Sequence, residues 1–77
     1  MQSERDPTVK ISARNILKGT VTTVTKGATT SHVVIDIGGG ALVTASITNA
    51  AVDDLKLAAG KQAYAVIKAS DVMVAVD

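Results

Sequence analysis

Seventy-seven residues with a formal net charge of +1 make one small domain, near the lower size limit for a self-sufficient core. The absence of cysteine excludes disulfide, thiolate and zinc-finger chemistry, and a single histidine, His32, leaves any multi-histidine metal site to several subunits. A near-neutral balance and a lone aromatic, Tyr64, argue against nucleic-acid binding, which relies on a basic groove and stacking platforms.

Residues 1–8 read as a flexible, charged lead-in, with Pro7 discouraging helix before the first strand; the domain proper is expected over 9–77. The lead-in holds no apolar run fit for a signal peptide. The longest uncharged stretch, Ile37 to Val52, has 16 residues and three glycines. A membrane helix needs about 20 apolar residues. A soluble, cytoplasmic protein is expected.

Val, Ile and Thr number 26 against four Leu, a balance that favours strands. Without Phe or Trp the core must come from small aliphatics, and 12 Ala imply closely approaching backbones. A chain so built finds missing burial in self-association. Val9, Ile11 and Ala13 alternate with Lys10, Ser12 and Arg14, the two-residue period of a half-buried strand. Ile16 to Thr25 continues it, with Gly19 a point of bulge or close approach; Val21 and Val24 break strict alternation, which also fits a bulge. Lys26 to Thr30 is a turn, His32 to Ile37 a strand, and Gly38-Gly39-Gly40 a hairpin into Leu42 to Ile47.

Thr48 and Asn49 both suit a helix N-cap, Asp53 and Asp54 lie early enough to favour the positive end of the dipole, and Gly60 is the expected stop. Lys61 falls in the following loop. Gln62 to Ala69 and Asp71 to Val76 read as two more strands, the last alternating Val72, Val74 and Val76. The fold class is therefore all-β, a small OB-like β-barrel with one short helix between strands four and five.

Two polar islands interrupt these strands. Ile11-Ser12-Ala13-Arg14-Asn15 and Ile67-Lys68-Ala69-Ser70 each set a cation beside a hydroxyl, with no carboxylate inside the island. An oxyanion requires such a donor set, because its oxygens only accept hydrogen bonds and its charge needs compensation outside water. Arg14 offers a planar fork of N–H groups, Lys68 a mobile point charge, and Ser12 and Ser70 orientable hydroxyls. The chemistry indicates a small anion without saying which.

The residues that carry the islands also carry a resemblance. Lys10-Ile11-Ser12-Ala13-Arg14-Asn15-Ile16-Leu17-Lys18-Gly19, the Val34-Ile35-Asp36-Ile37-Gly38-Gly39-Gly40 hairpin, Ile47-Thr48-Asn49-Ala50-Ala51-Val52 and Ile67-Lys68-Ala69-Ser70-Asp71-Val72-Met73 together resemble the Mop domain, the molybdate-binding module of the molbindins. The resemblance implies an OB-like barrel assembled as a homohexamer, a trimer of dimers, with molybdate or tungstate held between subunits. It implies a main oxyanion site of Ser12, Arg14, Lys68, Ala69 and Ser70, with Thr48 contributed by a neighbouring subunit. A secondary anion site is implied, more loosely, at the first hairpin turn, Lys26, Gly27, Ala28 and Thr29. No protein side chain is expected to ligate the metal directly, since the ligand is the oxyanion. Lys56 departs from the family pattern, where many relatives carry Gly at the helix end.

Competing readings are weaker. The Gly38-Gly39-Gly40 run lacks the Lys-Ser/Thr of a phosphate loop and opens a strand. Asp53 and Asp54 are adjacent on a helix, so they point apart rather than forming a catalytic pair. His32 reads as a polar surface residue at a strand start. No nucleophile, base and orienting group occur together, so an enzyme is not expected. The favoured function is intracellular molybdate binding and storage. The alternative is a ligand-sensing module of a molybdate-responsive regulator or transporter, a role in which such domains are fused to a second domain.

Overall fold

One long strand gives the sheet its shape. β1 (Asn15–Lys26) pairs antiparallel with β4 (Gln62–Ile67) along its first half and with β2 (Thr30–Gly38) along its second. β2 in turn pairs antiparallel with β3 (Ala41–Thr48), giving the order β3-β2-β1-β4. The computed structural model describes residues 11–77, so the lead-in at 1–8 and the expected strand start at Val9 and Lys10 lie outside the described residues.

Two local features bend β1 where its partner changes. At Gly19 a Cβ would come within 2.4 Å of the Asp36 carbonyl oxygen and 2.7 Å of the Ile35 Cγ2, so glycine alone permits this approach. Between Val21 and Thr23 the register slips by one residue, a β-bulge at Thr22. The bulge explains the broken alternation: with Thr22 as the extra residue, Val21 and Val24 both face inward, opposite Ile35 and Val33. The loop leading into β4 locks this bend, with Val21 N donating to Lys61 O and Gly60 N to Val21 O, both at 2.8 Å. The sheet thus curls into an OB-like half-barrel.

The core lies on the concave side. Val21, Val33, Ile35, Val52 and Ala65 are buried, with Val24, Ile37, Val43, Ile47, Leu57 and Ala63 packed around them. Gly38, Gly39 and Gly40 all adopt positive φ, the conformation that this hairpin connection requires and side chains resist.

The helix, α1 (Asn49–Leu55), has seven residues, too few to be stable alone, and is fixed by burying Val52 in the sheet. Thr48 is the N-cap, its hydroxyl accepting from Ala51 N at 3.0 Å. Three expectations change here. Asp53 and Asp54 fall in the second half of the helix rather than its first turn, so dipole compensation does not account for them. Termination comes at Lys56, in the left-handed region at φ 53°, and Gly60 belongs to a later turn. Lys61 is no idle loop residue: its ammonium donates to the Leu55 and Lys56 carbonyls at 2.6 and 3.3 Å, closing the helix C-terminus.

The strand count also changes. Ile11 to Arg14 and Asp71 to Val76 were expected as strands, yet neither pairs with any described strand. After Ile67 a 3-10 turn (Ala69–Asp71) deflects the chain, and a strand without a partner leaves its backbone groups to water. The helix therefore follows the third strand of the described chain, not the fourth. Met73, Val74 and Val76 are 93%, 90% and 91% exposed, so this apolar segment is left uncovered by the described residues. Among the described residues no helix is long and apolar enough to cross a membrane.

Candidate functional site

The β1–β4 register brings the two polar islands together. Its last pair is Asn15 with Ile67, and the Asn15 carboxamide donates to the Ile67 carbonyl at 3.2 Å. One island precedes Asn15 and the other begins at Ile67, so residues far apart in sequence leave the same end of the ladder side by side. Ala13 is buried and anchors its island, while Ser12 and Arg14 on either side of it are exposed. Lys68 precedes the 3-10 turn and its carbonyl accepts from Asp71 N at 2.9 Å, which folds Ala69 and Ser70 back at this corner.

Among the described residues the one ion pair is Lys26 with Asp53, so neither Arg14 nor Lys68 is neutralised by a described carboxylate. The exposed cations and hydroxyls of the two islands are donors of the kind an anion takes, but the corner is open to water. Strong binding requires a further surface to exclude solvent. The same residues can supply charge, a bidentate fork and single donors; none is arranged as a nucleophile with a base.

Thr48 is not at this corner. It ends β3, which runs parallel to β1, and it pairs with Thr30 at the opposite end of the sheet. β1 has 12 residues and would span about 36 Å if straight, at about 3.3 Å per residue. The Lys26 to Thr29 turn shares Thr48's end. Asn49 N donates to Thr29 O at 2.9 Å, and the Asn49 carboxamide donates to Gly27 O at 3.0 Å and Ala28 O at 3.4 Å. Its oxygen accepts from the Ser31 hydroxyl at 2.5 Å. Ser31 is only 1% exposed, so its hydroxyl needs this protein partner.

Lys26 was expected among the donors at that turn, and its ammonium is engaged by Asp53 at 2.8 Å. Sequence reasoning missed Asn49, which it treated only as a possible cap; an Asn immediately after an N-cap Thr was the available signal. His32 is exposed within β2, between Thr25 and Ser46 of the flanking strands, rather than at a strand start. No group of three or more metal-ligating side chains occurs among the described residues.

The TOBE domain family matches residues 11–74. A probable molybdenum-pterin-binding protein of Haemophilus influenzae is 51% identical over 69 residues, covering 90% of this chain and 100% of that relative. The molybdenum transport protein ModE of Herbaspirillum seropedicae is 56% identical over 66 residues, which are 86% of this chain and 24% of ModE. The solved structure of ModG, described as a cytoplasmic molybdate-binding protein with molybdate bound, superposes with a TM-score of 0.82 at 45% identity. The match covers 86% of this chain and 47% of that one. Family match, full-length identity and shared fold agree: the chain belongs to the TOBE domain family, among the Mop domains of the molbindins.

Proposed function

We propose that this chain binds molybdate, and its congener tungstate, as an intracellular store, at sites shared between copies in a homohexamer. The observation that supports the reading is the Asn15–Ile67 pair, beyond which the islands that carry Ser12 and Arg14 and Lys68, Ala69 and Ser70 leave the same end of the ladder. Molybdate is a tetrahedral dianion with four acceptor oxygens, and this corner offers two cations, two hydroxyls and nearby backbone N–H groups. Arg14 and Lys68 compensate charge; Ser12 and Ser70 fill remaining lone pairs. The names of the relatives, molybdenum-pterin-binding and molybdate-binding, support this choice of anion. The protein acts by binding, and no residue is assigned a catalytic role.

Sharing between copies is supported by distance. Thr48 ends the sheet opposite the corner, so its contribution to the same anion requires a second chain. The exposed Met73, Val74 and Val76, and an apolar cleft of about 710 Å³ lined by Val33, Val43, Ile47, Leu57 and Ala63, supply surface for that association to bury. The turn Lys26, Gly27, Ala28 and Thr29 is the secondary anion position. The domain runs from 9 to 77 behind the 1–8 extension, and the cytoplasm is its compartment.

A second reading, a sensing module within a molybdate regulator or transporter, is favoured by the ModE match, where such a segment forms 24% of a longer protein. Metal analysis of the native-mass assembly tests the first reading, giving molybdenum per chain and chain number together. A monomer free of molybdenum after equilibration with molybdate would overturn it.

A further inference from the structure

The turn between β1 and β2 is oriented by a residue outside it. Four of its neighbouring backbone groups face inward: Gly27 O and Ala28 O toward the Asn49 carboxamide, Thr29 O toward Asn49 N, and Thr30 O toward Gly27 N at 2.7 Å. In a planar trans peptide the carbonyl and the following N–H point in opposite directions. Holding Gly27 O and Ala28 O inward therefore turns the N–H groups of Ala28 and Thr29 outward. Consecutive outward N–H groups form a concavity that suits an anion. Lys26, held by Asp53, adds positive charge beside the turn without being free to reach over it.

We propose that Asn49 is the positioning residue of the secondary oxyanion position, presenting the Ala28 and Thr29 backbone N–H groups as its donors. The inference rests on the assignment of the 26–29 turn as that position. Asn49 suits the task because its side-chain polar atoms and its backbone N–H are all engaged: Oδ1 by buried Ser31, Nδ2 by the turn carbonyls, and N by Thr29 O. Its backbone is fixed in turn by the Thr48 cap. The helix start and the turn are thus tied together by hydrogen bonds.

The test titrates the full chain with molybdate by calorimetry and follows backbone amides by NMR. In the parent, two classes of site are expected, with downfield amide-proton shifts at Ala28 and Thr29 on filling the second. Asn49→Ala is expected to weaken the second class about tenfold or more, abolish those two shifts and leave the first class within about threefold. Ser31→Ala retains both Asn49 donors and is expected to leave both classes near parent values. Equal losses in Ser31→Ala and Asn49→Ala overturn the proposal, since they mark general loosening rather than carbonyl orientation. If Asn49→Ala does not assemble, Asn49→Asp decides: it keeps the size and the acceptor for Ser31 but has no side-chain N–H to hold the Gly27 and Ala28 carbonyls. Second-class binding retained in that variant overturns the proposal; its loss with the first class intact supports it. A parent with a single class and no shift at Ala28 or Thr29 overturns the turn assignment and the role of Asn49 together. A second class of parent affinity in Asn49→Ala, with the Ala28 and Thr29 shifts retained, overturns the role of Asn49 alone.

Discussion

Asn15 and Ile67 are joined twice, as the terminal pair of the β1–β4 ladder and through the Asn15 carboxamide on the Ile67 carbonyl at 3.2 Å. The second contact acts just where the ladder ends and the strands would otherwise fray. It pins the point from which both polar islands leave the sheet, one residue before Lys68 and one after Arg14.

Arg14→Ala or Lys68→Ala should weaken molybdate binding by about ten- to a hundredfold, since charge-assisted hydrogen bonds contribute about 1.5–3 kcal/mol each and about 1.4 kcal/mol is a decade. Arg14→Lys should not restore it, because an ammonium lacks the planar fork. Lys18→Ala, on exposed β1, is the control; Lys61 is unsuited, as it closes the helix C-terminus. Calorimetry on the four variants reads the effect, and parent-like binding by both alanine variants would show the islands to be ordinary solvated residues.

Molybdate at a hundredfold excess over Kd should stabilise the folded assembly by about 2.7 kcal/mol through mass action. Sulfate at the same concentration should do much less. Thermal unfolding with each anion is the measurement, and equal shifts would reduce the site to one for oxyanions in general.

Gly19→Ala should destabilise the fold by about 1–3 kcal/mol, the usual range for overpacking. A Cβ there meets backbone, the Asp36 carbonyl at 2.4 Å, and backbone cannot swing aside as a side chain can. Denaturant unfolding that matches the parent would show that β1 and β2 separate at little cost.

Lys56→Gly should stabilise by up to about 1 kcal/mol, because a non-glycine residue in the left-handed region carries a steric cost of that order. Lys56 sits at φ 53° and is exposed, so the substitution removes strain and little packing. Molybdate affinity should not change. A lower midpoint in the variant would mean that the Lys56 side chain makes contacts in the assembly.

Deletion of residues 72–77 should lower the assembly state seen by light scattering at micromolar concentration. Met73, Val74 and Val76 are nearly fully exposed in the single chain, and apolar surface of this extent is ordinarily covered by a partner. An unchanged assembly mass in the truncated chain would leave that tail without a role in association.

Much of the sheet was legible because its signals are local. Val33, Ile35 and Ile37 alternate on β2, Gly38 to Gly40 demand a tight connection, and the Val21 to Val24 spacing announced the bulge. Thr48 was readable as a cap because its hydroxyl chemistry is short-ranged. What escaped was partnership. Alternating Val72, Val74 and Val76 report that one face seeks burial, not which chain supplies the cover. Asp53 looked like a dipole residue until Lys26 on a distant strand claimed it. For the site, residue type nominated Ser12, Arg14, Lys68 and Ser70, whereas only the register shows that their two islands leave the same end of the β1–β4 ladder and that Thr48 lies at the other end of the sheet.

The direction of β1 sets a rule of reciprocity. Its start carries the cationic corner and its end adjoins Thr48, so under the proposed sharing each copy would hold one half of a site at either pole of the sheet. In a two-fold pair built on the proposed sharing, the chain that lends its Thr48 pole to a neighbour receives the same from it. Anion sites of this kind are created in twos, and a lone chain owns none. Losing one subunit from such a pair would empty both, and release of a bound anion would then be a matter of disassembly as much as of affinity.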